Sequence, residues 1–246
     1  MEPVFCQEFT VTPMQTDCFG RLKPAGILYF AQEAAGGHCR LLGVDWDTLA
    51  QKQMFWAVLR YRVEVTRLPR LGEKITVETW PMPTTRTAFP RSTVAYDAEG
   101  NQVFRCIGLW VLMDTRRRSM VLPEKSGVAL TGTSRGGELA VPGSLMPFAG
   151  ENVTTRYVTY SQLDRNNHMN NTRYMDWVDD LLPGAFHNQR PVRAFTVCYL
   201  DEATEGQRID LCWQLLDGPV LQVDAHREKT DVPGEKSRVF TASVEF

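Results

Sequence analysis

The segment VTYSQLDRNNHMNNTRYMDWVD, residues 158–179, follows the pattern of an earlier segment, VTPMQTDCFGRLKPAGILYFAQ, residues 11–32. Aligned without a gap, the two share their first two residues, one glutamine and one aspartate, and Phe30 meets Trp177. Further along, LGEKITVETW (71–80) resembles EGQRIDLCWQ (205–214), with a glycine at the same point before an alternating strand. Two matching pairs in the same order indicate an internal duplication.

Each half predicts the same order of elements: a short strand, a polar loop, a long helix and then an antiparallel meander. The short strands are predicted at 9–15 and 156–162. The first helix begins near Pro24, since proline is favoured at the first helical position, and ends near Gly43. These elements predict an α+β fold with one helix laid across each sheet.

The second helix is predicted from an apolar stripe and a breaker. Tyr174, Trp177, Val178 and Leu181 are spaced i, i+3, i+4 and i+7, and the helix is expected to stop at Pro183-Gly184. Strands follow in both halves. They are WAVLRYRVEV, TVETW, STVAYD and FRCIGLWVLMD in the first half, then FTVCYL, RIDLCWQLL, LQVDAHREK and RVFTASVEF in the second.

The predicted domains are 1–130 and 151–246, joined by a Gly-, Pro- and Ser-rich linker at 131–150 with weak periodicity. The 27 basic and 29 acidic residues nearly balance, so the net charge of -2 gives no sign of a nucleic-acid partner.

The six cysteines form no C-x-x-C pair, which argues against a zinc site or a disulfide framework and suits a reducing cytoplasm. The start MEPVFCQEFT lacks a basic region followed by an apolar run, and no apolar run approaches the roughly 18 residues of a membrane span. We therefore expect a cytoplasmic protein with no membrane partner.

The polar stretch DRNNHMNN holds an aspartate, four asparagines and a histidine directly before the second helix. An EF-hand is rejected because Met169 and Met175 stand where glycine and glutamate are needed, and a lone histidine excludes zinc. A helix cap or an Asx-turn explains one or two of these residues. Acid/base chemistry by Asp164, Asn166 and His168 at the start of the helix explains more of them. From the residues alone, a catalytic site and a structural polar loop are equally compatible with the stretch.

DRNNHMNN followed by TRYMDW resembles the Asp-x-Asn-x-His-x-Asn-Asn motif of the hot-dog thioesterase superfamily, and more closely its acyl-acyl carrier protein (acyl-ACP) thioesterase branch. DCFGRLKPAGILYFAQEAAGGHCRLLG and RYRVEVTRLPRLGEKITVETW are similar to the entry to the first domain of that family. The resemblance covers nearly the whole chain. It implies two tandem hot-dog domains, no cofactor and no metal, and hydrolysis of fatty acyl-ACP to a free fatty acid, which ends chain elongation.

The resemblance carries the family's catalytic set onto four residues of this chain. Asp164, Asn166 and His168 match the motif, and Glu202 in YLDEATEG matches the family's acidic residue, with Asp201 and Glu205 as substitutes. Water would be the nucleophile, activated by Glu202 and His168, and which of the two is the base stays open. Asn166 and backbone N–H groups near the helix start would polarise the carbonyl, while Asp164 would hold Asn166 and His168 in place.

A cysteine nucleophile is not needed, because Ala203 stands where plant relatives carry cysteine. Cys198, earlier on the same strand, is expected to serve packing.

In the first half Arg21 occupies the place of His168, so the first domain is expected to bind the acyl chain while its Asp17 is structural. His38 is expected to be a satisfied or exposed helix residue, and His187, in a predicted loop, has no assigned role. The remaining candidates for substrate binding flank the motif or line the first domain. They are Phe30, Trp56, Leu59, Asn170, Asn171, Arg165 and Arg173.

An acyl carrier protein is acidic, so it is expected to dock on basic side chains. Arg165 and Arg173 bracket the motif, and Arg116–Arg118, Arg86 and Arg91 are further candidates. The alternative functions are an acyl-CoA thioesterase or a non-catalytic acyl-thioester-binding protein. A monomer built as a pseudo-dimer of hot-dogs and a homodimer are both compatible with the sequence.

Overall fold

The computed structural model describes residues 3–228 and 234–246 and divides into two compact units. The first unit ends at Pro142 and the second runs from Gly143 to Phe246. The division therefore lies inside the stretch predicted as the linker.

The first unit is an antiparallel sheet with one long helix. Its strands pair in the order β1-β3-β4-β5-β2, and β6 pairs with β5. The elements are β1 (Phe5–Thr10), α1 (Pro24–Leu41), α2 (Trp46–Gln51), β2 (Met54–Val65), β3 (Lys74–Pro81), β4 (Phe89–Tyr96), β5 (Gln102–Asp114), β6 (Met120–Val121) and α3 (Pro123–Ser126).

The second unit repeats this topology. Its strands pair in the order β7-β9-β10-β11-β8, which matches β1-β3-β4-β5-β2 strand for strand. The elements are β7 (Asn152–Tyr157), α4 (Arg173–Asp179), α5 (Gly184–Gln189), β8 (Ala194–Tyr199), β9 (Arg208–Leu216), β10 (Val220–Glu228) and β11 (Lys236–Glu245). The predicted duplication and the α+β class are confirmed. The strand predicted as LQVDAHREK is β10 as far as Glu228, and its final Lys229 lies outside the described residues.

Helix α1 lies tightly against the first sheet because small residues face it. Pro24 opens the helix, and Ile27, Phe30 and Ala34 are buried on its inner side. At Gly37 an added Cβ would stand 2.6 Å from the Phe5 ring of β1, so only glycine permits this approach. The helix ends at Leu41, and Gly43 follows with a φ of 67°, close to the predicted end.

The prediction of one long second helix is wrong in its extent. Helix α4 ends at Asp179, and a separate helix, α5, begins at Gly184 after Pro183, so His187 lies in a helix instead of in a loop. Proline disfavours a helical conformation for the residue before it and lacks an N–H, so it starts a helix more readily than it continues one. Leu181 lies beyond α4 but is still buried, which is why the apolar spacing suggested a continuous helix.

The two short strands were also predicted too far along the chain. Strand β1 ends at Thr10 and β7 at Tyr157, and each is followed by a 3₁₀ turn, Pro13–Gln15 or Tyr160–Gln162. In both turns a glutamine side-chain oxygen accepts the N–H of the threonine three residues earlier, at 3.0 Å. This capping bond ends the extended conformation, and apolar alternation does not reveal it.

The predicted linker, residues 131–150, packs on the sheets without forming a helix or strand of its own. In the first unit Thr133 N–H donates to the Pro81 carbonyl at 2.9 Å, and the Arg135 guanidinium stacks on Trp80. In the second unit Phe148 N–H donates to the buried Asp224 carboxylate at 3.0 Å. The segment is therefore attached to its neighbours at defined points.

The connections after β2 and β4 carry a triad of charged side chains, Arg67, Glu73 and Asp97, which makes the stability of the fold depend on pH. Arg67 donates to Glu73 and to Asp97, and these bonds are the main reason that the pKa of both carboxyl groups is lowered. Because the folded-state pKa is the lower one, the triad stabilises the fold above the unfolded pKa of about 4. That stabilisation is lost as pH falls through the folded pKa.

We expect Arg67→Met to lower the Tm at pH 7 by about 2–4 °C and to flatten the loss of Tm between about pH 5 and 3. Thermal unfolding across that pH range measures both effects. Arg86→Met, at an exposed arginine, is the control and should leave the curve unchanged. An Arg67→Met curve parallel to the wild-type curve would contradict the assignment of the triad.

Candidate active site

The polar loop before α4 is organised by the Asp164 carboxylate. Its Oδ1 accepts the backbone N–H of Asn166 at 2.7 Å and that of His168 at 3.3 Å, while Asp164 N–H donates to the His168 carbonyl at 2.8 Å. Asn167 takes a left-handed φ of 59° at the tip, a conformation that asparagine tolerates better than most residues. Asp164 thus fixes the loop through backbone groups.

The first unit repeats this loop almost bond for bond. Asp17 accepts the N–H groups of Phe19 and Arg21 at 2.9 Å and donates its own N–H to the Arg21 carbonyl at 2.8 Å. Gly20, with a φ of 69°, stands where Asn167 stands in the second loop. Asp17 therefore has the structural role predicted for it, and the loop conformation requires the aspartate but neither a histidine nor the additional amides.

A second repeated bond joins each loop to the segment that precedes strand β3 in the first unit or strand β9 in the second. Met169 N–H donates to the Ala203 carbonyl at 2.7 Å, and Leu22 N–H donates to the Pro69 carbonyl at 2.8 Å. His168 precedes Met169 and Glu202 precedes Ala203, so this bond brings together the two segments that carry these side chains.

The His168 Nε2 and Glu202 Oε2 atoms lie 3.4 Å apart, with 17% and 38% of the side chains exposed, so the pair is open to a small molecule. Arg21 and Leu68 hold the corresponding places in the first unit.

The two substitutes for Glu202 face elsewhere. The Asp201 carboxylate binds the Arg227 guanidinium at 2.5 Å, and Glu205 is exposed. Arg227 was not recognised from the sequence, where it is one of several charged residues on a strand. The only sequence signal for it is the acidic segment that it must neutralise.

The asparagines of the motif have separate roles. Asn166 is half-buried. The Asn170 Oδ1 accepts the N–H and the hydroxyl of Thr172 at 3.0 and 2.8 Å, so Asn170 forms an Asx-turn directly before α4. The Asn171 carbonyl accepts the Tyr199 hydroxyl at 2.9 Å, and its buried amide nitrogen has no partner among the described residues.

Burial raises the pKa of the Tyr174 hydroxyl, which keeps it neutral.

The basic candidates for docking differ in accessibility. Arg165, Arg86 and Arg116–Arg118 are exposed, and Arg173 is partly exposed beside Asp176, 3.3 Å away. Arg91 was predicted wrongly, because it is buried on β4. There its guanidinium lies 3.2 Å from the buried His38 ring, so His38 is a satisfied core residue. Burial also lowers the Arg91 pKa. The alternating pattern of β4 does not show which face α1 covers.

The first-unit candidates lie in or beside the core. Phe30 of α1 is buried against Phe9, and the half-buried Trp56 donates its indole N–H to the Val44 carbonyl at 2.9 Å. Leu59 is half-buried at the bulge of β2, against Ala88, Leu109 and Val111.

Three further observations concern the thiols, metals and membranes. Cys198 is wholly buried, and its thiol lies 3.9 Å from the Gly143 carbonyl, so it serves packing. Within 3–228 and 234–246 no cluster of three or more His, Cys, Asp and Glu side chains is placed to hold a metal. In the same ranges no helix combines the length and the apolar character that crossing a bilayer requires.

Comparison with known proteins gives one consistent family. Residues 2–126 match the family of acyl-ACP thioesterase N-terminal domains, and residues 149–236 match that of the C-terminal domains. A chloroplastic dodecanoyl-[acyl-carrier-protein] hydrolase of Cinnamomum camphora is 24% identical, covering 82% of this chain and 56% of the relative. A chloroplastic palmitoyl-acyl carrier protein thioesterase of Gossypium hirsutum is 25% identical, covering 81% and 52%. The chain thus spans about half the length of these relatives.

Two solved structures share the fold along the whole chain. An acyl-ACP thioesterase from Bacteroides thetaiotaomicron superimposes with a TM-score of 0.88 at 22% identity, covering 99% of this chain and 98% of that one. A 12:0-ACP thioesterase from Umbellularia californica gives 0.81 at 21% identity, covering 100% and 97%. The predicted tandem hot-dog architecture is confirmed.

We expect Asp164→Ala to lower the free energy of unfolding by about 2 kcal/mol, because two backbone donors lose a charged acceptor. Asp164→Asn keeps an acceptor oxygen at the same place and is the matched control, with a smaller loss. Chemical denaturation measures both variants. Equal losses would show that the carboxylate does not act through these backbone bonds.

Proposed function

The chain belongs to the acyl-ACP thioesterase family, and from that membership we propose that it hydrolyses the thioester of fatty acyl-ACP, releasing free fatty acid and ending chain elongation. The observation that carries this proposal is the 3.4 Å pair of His168 and Glu202. The duplicate loop of the first unit has the same backbone bonds without either side chain, so the pair is not there to hold the loop.

The reaction needs an activated water and a stabilised oxyanion. A thioester carbonyl is electrophilic, so a water placed at the His168–Glu202 pair loses a proton to it while its oxygen bonds to the carbonyl carbon. The resulting tetrahedral oxyanion collapses, the C–S bond breaks, and the sulfur leaves with a proton returned from the pair. Either side chain can accept the first proton, since the two lie within reach of one water and of each other.

Oxyanion stabilisation falls mainly to the Asn166 side chain. The backbone N–H groups of Met169, Asn170, Thr172 and Arg173 already donate to protein acceptors. The half-buried Asn166 lies within the same loop and carries an amide that can donate to a developing negative charge. Asp164 supports this geometry through the backbone, in keeping with its counterpart Asp17.

Water, and not a thiol, is the nucleophile in this proposal. Ala203 lies directly after Glu202, and Cys198 is fully buried in the second unit. A thiol enclosed in the core cannot reach the carbonyl of a substrate.

The first unit is assigned the acyl chain in this proposal. Its loop carries Arg21 in place of a catalytic histidine, and Arg21 is engaged with Asp17 at 3.0 Å. The half-buried side chains of Trp56 and Leu59 on β2 offer the kind of apolar surface that an acyl chain requires, while Phe30 of α1 is buried in the core of the unit.

The acidic carrier protein docks on exposed arginines in this proposal, first on Arg165 and Arg173 beside the motif. Arg86 and Arg116–Arg118 are secondary candidates. A cytoplasmic location and a monomeric or dimeric state stay predictions from the sequence.

We expect Glu202→Gln and His168→Ala each to lower kcat for acyl-ACP hydrolysis by about 10²–10³-fold, since each removes one half of the proton-transfer pair. Glu205→Gln, an exposed acid on the same segment, is the matched control and should keep wild-type turnover. Release of free thiol measures the rate. Wild-type turnover in a His168→Ala, Glu202→Ala double variant would overturn the assignment.

Substrate class is tested with one acyl chain presented on two carriers. We expect kcat/KM to be at least about tenfold higher on acyl-ACP than on acyl-CoA, and this advantage to shrink as salt screens the charge attraction. Arg173→Ala should lower kcat/KM on acyl-ACP while leaving acyl-CoA unaffected. Equal efficiencies on both carriers at low salt would favour the acyl-CoA alternative.

A further inference from the structure

We propose that Arg227 is a positioning residue for the reaction and holds the Glu202 backbone so that its carboxylate faces His168. The inference rests on the proposed function, in which Glu202 takes part in proton transfer. Arg227 lies on β10, and no other residue of that strand has been given a role in the site.

Arg227 closes a ring of hydrogen bonds around the Glu202 backbone. Its Nη1 donates to the Glu202 carbonyl at 2.6 Å, and its Nη2 donates to the Asp201 carboxylate at 2.5 Å. The same carboxylate accepts the Glu202 N–H at 2.9 Å. Both peptide groups that flank the Glu202 Cα are therefore held, which restrains the backbone dihedral angles and the direction in which the side chain leaves the backbone.

The ring is anchored to rigid structure on two sides. Arg227 Nη1 also donates to the Gln207 side chain at 2.8 Å, and Gln207 accepts the N–H of Thr204 at 3.1 Å. On the other side the Ala203 carbonyl accepts Met169 N–H at 2.7 Å. Two consecutive carbonyls, of Glu202 and Ala203, are thus bound by β10 and by the histidine loop.

The first unit carries a charge-reversed triad at the same place, and the difference between the two triads lies in what the arginine binds. At the place of Asp201 it carries Arg67, and at the place of Gln207 it carries Glu73. Arg67 binds the side chains of Glu73 and Asp97, so the charges are reversed and the bonds join side chain to side chain. Only in the second unit, which carries Glu202, does the arginine donate to the backbone carbonyl of that residue.

The expected effect follows from the precision that proton transfer demands. A displacement of about 1 Å in a catalytic group costs about 10²-fold in rate. Arg227→Met removes three donors from the ring and frees the Glu202 carbonyl. We expect kcat on acyl-ACP to fall by about 10–100-fold while KM stays within about threefold, because Arg227 lies behind Glu202 and the carrier docks elsewhere.

A double-mutant cycle distinguishes positioning from general support of the fold. Arg227→Met is measured in the wild-type background and in the Glu202→Gln background, together with the Tm of each protein. If Arg227 acts through Glu202, its replacement costs nothing further, within about twofold, once Glu202 is gone. Arg227→Lys, which can reach one acceptor but not span all three, should give an intermediate kcat and serves if Arg227→Met folds poorly.

The matched control is Arg238→Met on β11, which removes a comparably buried arginine that binds Asp224 at 2.9 Å. It should lower the Tm without changing kcat well below the Tm. Equal loss of kcat for Arg227→Met in both backgrounds would overturn the positioning role and leave the proposed function standing. Wild-type kcat for Arg227→Met would do the same. Wild-type turnover in Glu202→Gln would instead overturn the assignment of Glu202, and the positioning role with it.

Discussion

The geometry of the site depends on one backbone hydrogen bond, from Met169 N–H to the Ala203 carbonyl. It joins a loop that Asp164 has already folded to a segment more than thirty residues further along the chain. His168 and Glu202 lie next to the bonded residues, and their side chains meet at 3.4 Å. The remaining features of the site are arranged around this contact: the Asn170 turn holds the loop where it enters α4, and Arg227 binds the backbone of Glu202.

The duplication provides an internal control for function. The two units share the order of their strands, the glutamine-capped 3₁₀ turns, the aspartate-centred loops and the bond from loop to segment. What both units have serves the fold, and what one unit has alone is available for chemistry. By that criterion Asp164 belongs with the scaffold, while Asn166, His168, Glu202 and the bond from Arg227 to the Glu202 carbonyl are available for the proposed reaction.

Much of this could be predicted from the sequence, and the failures have physical causes. The strands, the first helix and the residues of the motif follow from alternation, from Pro24 and from side-chain types over short spans. The end of α4, the two 3₁₀ turns and the burial of Arg91 did not follow from the sequence. They depend on a new helix starting after Pro183, on a glutamine side chain that caps each turn, and on the face of β4 that α1 covers. Periodicity does not encode these contacts. Arg227 was missed for a related reason, since its three acceptors lie far from it in the chain.

By itself the sequence determined that the chain is a duplicated α+β protein, that its second half alone carries the motif DRNNHMNN, and that this half resembles the acyl-ACP thioesterases. Local residue types suffice for those conclusions. Only the tertiary structure decided which acid faces His168, and that Arg91 lies in the core. Such choices are made by distances between residues remote in sequence, and those distances exist only once the sheets and helices have packed.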